Sequence, residues 1–342
     1  MIKIDKGGVI LESRPGFEFE SEGVLNPACV EKDGITHMFY RAVGKGNFST
    51  IGYCQIKDDK VINRLDKPLL VPEFDYESQG MEDPRITCLD DKYYMLYTAY
   101  DGKNAVVAYA ISRDLKLWEK KGVISSQMTY NLAEDLFSKN KLDHRYSIFE
   151  RWYRFAIGDD VKLWEKDAAL FPKRINGKMA MIHRVLPGIQ ICYFDSFTDL
   201  NNEYWEKYLA DLDKYIILDP QDKFESGYVG GGCVPIETNE GWLLIYHGVD
   251  FENNQRIYSA GAMLLEKNNP LKIIGKTKLP LFSSQESWGK ESMGNVIVVF
   301  PTGTIIDKGI LKIYYGAGDK RIAYKKIDMK ELISLLKGSK NE

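Results

Sequence analysis

Five ionisable side chains stand where strand-like runs begin or end. Asp83 lies in Glu82-Asp83-Pro84-Arg85, Lys166 and Asp167 open Lys166-Asp167-Ala168, and Arg184 and His247 close the runs AMIHR and LLIYH. A carboxyl group in an enclosed, partly apolar setting can keep its proton near neutral pH and give it to a leaving oxygen. Lysine, arginine and protonated histidine bind a multivalent anion through charge-assisted hydrogen bonds, arginine in bidentate fashion. Each residue also has an ordinary structural use. Asp83 can start a turn before Pro84, Lys166 can be a solvated loop charge, Arg184 a salt bridge between sheets, and His247 a satisfied core histidine. For Asp83 both readings stay open, while the coincidence of Lys166, Arg184 and His247 within a repeat favours the chemical one.

The repeat is a strand, a tight turn, a second strand and a third. The turns are Asp33-Gly34, Asp90-Asp91, Asn176-Gly177, Glu240-Gly241 and Lys308-Gly309. The second strands HMFYR, YMLYT, AMIHR, LLIYH and LKIYY end at Arg41, Thr98, Arg184, His247 and Tyr315. Third strands follow at 51–56, 106–112, 189–194, 258–265 and 320–327. Long helical periods between them are missing, so the pattern predicts an all-β fold, a five-bladed β-propeller occupying 1–342 as a single domain. An insertion at about 122–160 reads as short helical stretches, serving as a lid, an oligomer contact or a prop. Residues 328–337 read as an N-capped amphipathic helix.

Because the first and second strands of a blade are antiparallel, the start of the first and the end of the second share one mouth. The first-strand starts are Leu25-Asn26-Pro27-Ala28, Glu82-Asp83-Pro84-Arg85, Lys166-Asp167-Ala168, Gly230-Gly231-Gly232 and Gly294-Asn295. Polar groups concentrated at that mouth predict a binding pocket. The Gly230-Gly231-Gly232 run precedes neither a helix pattern nor a Lys-Ser/Thr pair, so it predicts close backbone approach rather than a phosphate-binding nucleotide loop.

Composition narrows the classes. At 342 residues, 44% hydrophobic and 28% charged, the chain is of the folded globular kind, and a net charge of −3 with both signs interspersed offers no footprint for nucleic acid or an anionic membrane. The high aromatic content, 21 Tyr, 15 Phe and 6 Trp, suits half-buried strands first and sugar-stacking surfaces second. No stretch has the length of an apolar membrane span, and the first residues lack the apolar core of a leader, so a cytoplasmic protein is expected. Five scattered cysteines without a CxxC pair predict buried free thiols rather than zinc.

The stretches LNPACV (25–30), YRA (40–42), EDPRIT (82–87), KDAALFPKRINGK (166–178), VGGGCVPIETNEGWLLIYHGV (229–249), VVFPTG and IYYGAGD (298–319) together resemble glycoside hydrolase family 130, the inverting β-mannoside phosphorylases and related β-mannosidases. The resemblance runs in order through nearly the whole chain. It implies Asp83 as the catalytic acid, and Lys166, Arg184, Tyr228 and His247 around the phosphate. Asn26, Arg41, Arg85, Tyr100, Asp167 and Asn295 would meet the sugar or shape its pocket. Arg85 is expected to turn to a structural partner such as Glu82, since beside Asp83 it would favour the ionised acid.

Inorganic phosphate is then the co-substrate, with no metal or other cofactor, and a homo-oligomer is compatible with the reading. Two positions depart from the family pattern: Tyr228 stands where phosphorylases usually carry Lys or Arg, and Asn295 where they often carry Asp. The favoured reaction is phosphorolysis of β-1,2-mannobiose or oligomannan to α-mannose 1-phosphate. An inverting exo-β-mannosidase is the alternative, requiring a second carboxylate about 6.5–9.5 Å from the acid, with Asp167, Glu225 and Asp250 as candidates. A non-catalytic carbohydrate-binding propeller is the alternative of another class.

Overall fold

The computed structural model describes residues 2–252, 255–283 and 296–339. In four of the five hairpins both turn residues adopt positive φ: Asp33-Gly34, Asp90-Asp91, Asn176-Gly177 and Lys308-Gly309. That is the turn geometry whose twist matches the flanking strands, and Asp, Asn and Gly tolerate it. The inner strands are Gly23–Lys32, Gly80–Leu89, Lys166–Leu170, Tyr228–Gly231 and Val299–Asp307. Their hairpin partners are Ile35–Gly44, Lys92–Tyr100, Met179–Arg184, Gly241–Glu252 and Ile310–Ala317. Third strands complete five units at Phe48–Lys57, Ala105–Ser112, Ile189–Phe194, Gln255–Leu265 and Arg321–Asp328.

The chain is mostly β. Its units form one eight-stranded, one six-stranded and two four-stranded sheets among the described residues. The eight-stranded sheet holds two units, joined by the single parallel bridge Ser49↔Gly80. The N-terminal strand Ile4–Glu12 pairs antiparallel with Arg321–Asp328, adding a first-in-sequence strand to the last sheet.

Alternation along the second strands sets the core. Leu243 and Ile245 join one apolar cluster with Ile313 and Tyr315, while Trp242, Leu244 and Tyr246 join another with Ala180 and Ile182. Successive side chains of a strand point to opposite faces, so each unit contributes to the core on either side of it. The residues just before the site positions are tethered. Tyr40, Tyr97 and Tyr246 donate to the fully buried Glu20, Glu77 and Glu225. Arg14 and Arg64, Lys120, and Lys276 neutralise these three carboxylates in turn. In the third unit His183 takes the tyrosine's place and bonds Glu165 at 2.8 Å. The tethers hold Arg41, Thr98, Arg184 and His247 on the opposite face of each strand.

The insertion folds as α1 (Tyr130–Phe137) and α2 (Arg145–Ile157). A further helix absent from the sequence reading, α3 (Asn202–Ala210), buries Trp205, Tyr208 and Leu209 on one face and is capped by Asn201. Its three buried residues at helical spacing were the available signal. The final helix α4 (Met329–Gly338) is capped by Asp328, which accepts from the amides of Lys330 and Glu331. None of the described helices is long and apolar enough to cross a membrane.

In the last unit the described inner strand is Val299–Asp307, where Pro301 opposes Tyr315. The expected strand start at Gly294-Asn295 lies outside the described residues.

Candidate active site

Each of the first three inner strands carries a bulge at the same place, between Leu25 and Ala28, Glu82 and Arg85, and Lys166 and Ala169. Inside the bulges Asn26, Asp83 and Asp167 have φ of 49°, 51° and 58°, a left-handed conformation that Asn and Asp adopt most readily. The extra residue breaks the alternation and turns all three polar side chains toward one space. The register places Leu25 opposite Arg41, Glu82 opposite Thr98, Lys166 opposite Arg184, and Gly230 opposite His247. Hydrogen bonds from Thr87 to Leu170, Thr302 to Pro27 and Arg85 to Gly232 tie the inner strands together around a cavity of about 400 Å³.

One side of the cavity is acidic. The Asp83 side chain, 10% exposed, accepts a 2.7 Å hydrogen bond from Asn26 Nδ2 and lies 3.8 Å from Arg41. Arg41 is engaged elsewhere, 2.8 Å from Glu82 Oε1, while Lys166 stands 3.3 Å from Glu82 Oε2. Burial pushes Glu82 up, but Arg41 and Lys166 outweigh it and hold the carboxyl below its ordinary range. Glu82 thus absorbs two cations and leaves the Asp83 carboxyl, reached directly by Asn26, facing the cavity.

The neighbouring wall is cationic. Arg184 Nη1 is 2.9 Å from the buried Asp167 carboxylate and 3.3 Å from His247 Nε2. Its guanidinium lies 5.4 Å from the Tyr228 ring centroid. A Cβ on Gly230 would fall 2.4 Å from both the Asp167 carboxylate and the His247 ring, so glycine is what admits these two side chains. Helix α2 backs this wall through Phe149, edge-on to Tyr228 at 5.8 Å, and through the buried Tyr153, so part of the insertion is a prop.

Asn26, Arg41, Asp83, Lys166, Asp167 and Arg184 all line the cavity. Several expected contacts do not. His247 is fully buried, and desolvation, reinforced by Arg184 and Arg85, holds its imidazole well below the ordinary value. It is therefore a neutral acceptor behind Arg184, not a third cation. Arg85 points to the carbonyls of Asp83, Pro84 and Gly232, not to Glu82, so it ties strands rather than meeting a ligand. Tyr100 bonds the Gly102 carbonyl at 2.9 Å, outside the cavity wall. Tyr228 is buried beneath Arg184, with its hydroxyl on Tyr258. Of the considered second carboxylates, Glu225 is sealed among Tyr246 and Lys276, and Asp250 bonds Ser226 outside the cavity.

The sequence reading missed Asp319, Arg256, Tyr258 and Phe300, all lining residues. Asp319 lies inside the quoted IYYGAGD motif, which was the available signal. Burial raises its carboxyl to about 6, opposed by Arg41 and reinforced by Asp83 and Glu82. Because the folded-state value lies above the unfolded one, Asp319 costs nothing below about pH 4, and its penalty grows between about 4 and 6. Replacing it by Asn should stabilise the ligand-free protein by roughly 2–3 kcal/mol above pH 6.5 and by almost nothing near pH 4. Unfolding curves of both proteins at the two pH values measure this, and an equal gain at each would mean the carboxyl does not titrate as stated.

A β-scaffold presenting an acid held by an amide on one wall and cations on the next is laid out for an enzyme acting on a hydroxyl-rich substrate together with an anion. A family model described as β-1,4-mannooligosaccharide phosphorylase matches residues 18–338, and the chain belongs to glycoside hydrolase family 130. It is 34% identical to a 1,2-β-oligomannan phosphorylase of Thermoanaerobacter sp. (strain X514), over 92% of this chain and 93% of that one. A β-1,2-mannobiose phosphorylase of the same organism is 35% identical with the same coverage. The solved β-1,2-mannobiose phosphorylase of Listeria innocua, in complex with β-1,2-mannobiose, shares the fold with a TM-score of 0.69 at 22% identity. That match covers 93% of this chain and 92% of the other.

Proposed function

We propose that the chain is an inverting β-mannoside phosphorylase acting on β-1,2-mannobiose or β-1,2-oligomannan. A phosphate oxygen attacks the anomeric carbon, the glycosidic C–O bond breaks, and Asp83 delivers a proton to the departing oxygen, directly or through a substrate hydroxyl. The product is α-mannose 1-phosphate. The observation that carries the reading is that Asp83, held by Asn26, lines one cavity together with Lys166 and Arg184. Water as nucleophile would need a base, yet Asp167, the one considered carboxylate on the cavity wall, is already neutralised by Arg184. The linkage rests on the two relatives named for β-1,2 substrates.

Supporting the scaffold reading, five apolar clusters link unit one to two, two to three, three to four, four to five, and five back to one. A cyclic set of inter-sheet cores fits a five-bladed propeller forming one domain. A cytoplasmic setting suits the chemistry, since it supplies phosphate and a charged sugar phosphate is retained there.

Incubation of the protein with β-1,2- and β-1,4-linked mannosides, with and without inorganic phosphate, tests the proposal. Mannose 1-phosphate should form only with phosphate and preferentially from the β-1,2 substrates. Free mannose produced equally without phosphate would overturn it in favour of hydrolysis, and no product at all would leave a binding module.

A further inference from the structure

Arg256 belongs to none of the quoted family stretches, yet it lines the same cavity as Lys166 and Arg184. The other lining cations are balanced by carboxylates: Arg41 and Lys166 by Glu82, Arg184 by Asp167. Among the described residues Arg256 has no carboxylate partner, and its Nε is buried without a hydrogen-bond acceptor. Its guanidinium hydrogen-bonds Tyr258, which is joined through its hydroxyl to Tyr228, whose ring lies 5.4 Å from the Arg184 guanidinium. Arg256 and Arg184 therefore line one space together with Tyr258 and Phe300. A guanidinium half-buried with an unpaired N–H is costly unless an anion completes it.

We propose that Arg256 binds the incoming inorganic phosphate jointly with Arg184, supplying the positive charge that Asp167 otherwise cancels on Arg184. This assignment rests on the phosphorylase reading above. It places the nucleophile between the third and fourth units and gives Tyr228 and Tyr258 a defined task. Tyr228 supports the Arg184 guanidinium from beneath and is itself fixed by its hydroxyl bond to Tyr258, which lines the cavity beside Arg256. Arginine suits this task because two N–H groups of one planar fork can engage two phosphate oxygens.

The test compares wild type, Arg256→Met and Arg256→Lys in steady-state phosphorolysis, varying phosphate and mannobiose separately. Thermal unfolding of each protein with and without inorganic phosphate runs alongside. Arg256→Met should raise KM for phosphate about 10- to 100-fold, the range for losing charged hydrogen bonds, while KM for mannobiose stays within about threefold. Arg256→Lys should recover part of the loss, since it restores the charge without the fork. Phosphate should raise the unfolding temperature of wild type and not that of Arg256→Met. A phosphate KM within about twofold of wild type, or an equal rise in both KM values, overturns the assignment. The two readings separate cleanly. If wild type makes free mannose regardless of phosphate, the phosphorylase reading fails, while the phosphate-dependent shift in unfolding still decides whether Arg256 holds the anion.

Discussion

Replacing Asp83 by Asn should lower kcat by about 10³–10⁴-fold, equivalent to roughly 4–5.5 kcal/mol of transition-state stabilisation, and leave the fold intact. The amide is nearly isosteric and can still meet Asn26 and the bulge geometry at φ 51°, because asparagine tolerates that conformation as aspartate does. What it cannot do is hand a proton to the departing oxygen. The defect should therefore depend on the leaving group. With an aryl β-mannoside whose phenol leaves readily as an anion, most of the lost rate should return, whereas on mannobiose it should not. Circular dichroism and the unfolding temperature should match wild type. A variant that kept a tenth of its activity on mannobiose would remove Asp83 as the acid, and one equally impaired on both substrates would point to misplacement of the sugar.

The second large effect is expected at Arg184. Arg184→Met strips the closest counter-charge from Asp167, whose carboxylate is almost completely buried, leaving it the neutral His247 at 3.8 Å and the more remote charge of Arg85. An uncompensated buried charge costs about 3–5 kcal/mol, so the variant should be markedly less stable as well as poor in phosphate use. The double variant Arg184→Met with Asp167→Asn separates the two consequences. Removing both charges should return most of the stability, because the neutral amide no longer needs a cation, yet phosphate affinity should stay low. If the double variant regained phosphate affinity as well, Arg184 would be a structural counter-ion and not a ligand for the anion. Denaturant unfolding and KM for phosphate across the four proteins of the cycle supply both readouts.

The strands were legible because their signals are local. Period-two alternation, turn residues that accept positive φ, and the repeated position at the end of each second strand need only neighbouring residues to be seen. The same repeat brought Asn26, Arg41, Asp83, Lys166, Asp167 and Arg184 to one mouth, and all six line the cavity. Where the reading failed, the deciding quantity was not local. Tyr100 lies only two positions beyond Thr98 on the same strand, but its hydroxyl is spent on Gly102. His247 occupies the expected position, yet burial among Arg184, Asp167 and Phe300 decides its charge. Arg85 is near Asp83 in sequence and still turns across to Gly232, 147 residues away.

By itself, then, the order of residues determined which segments pair, which polar residues meet at one mouth, and which family the chain resembles. Each of these depends on short-range sterics and hydrogen-bond spacing. Only the tertiary structure decided which cations lack a carboxylate partner and which carboxyl is raised toward neutrality. The charge state of His247, the raised carboxyl of Asp319 and the buried, unsatisfied Nε of Arg256 all follow from burial and from the tertiary neighbours of each group. Desolvation and Coulomb energies depend on distance in space, which sequence separation does not encode.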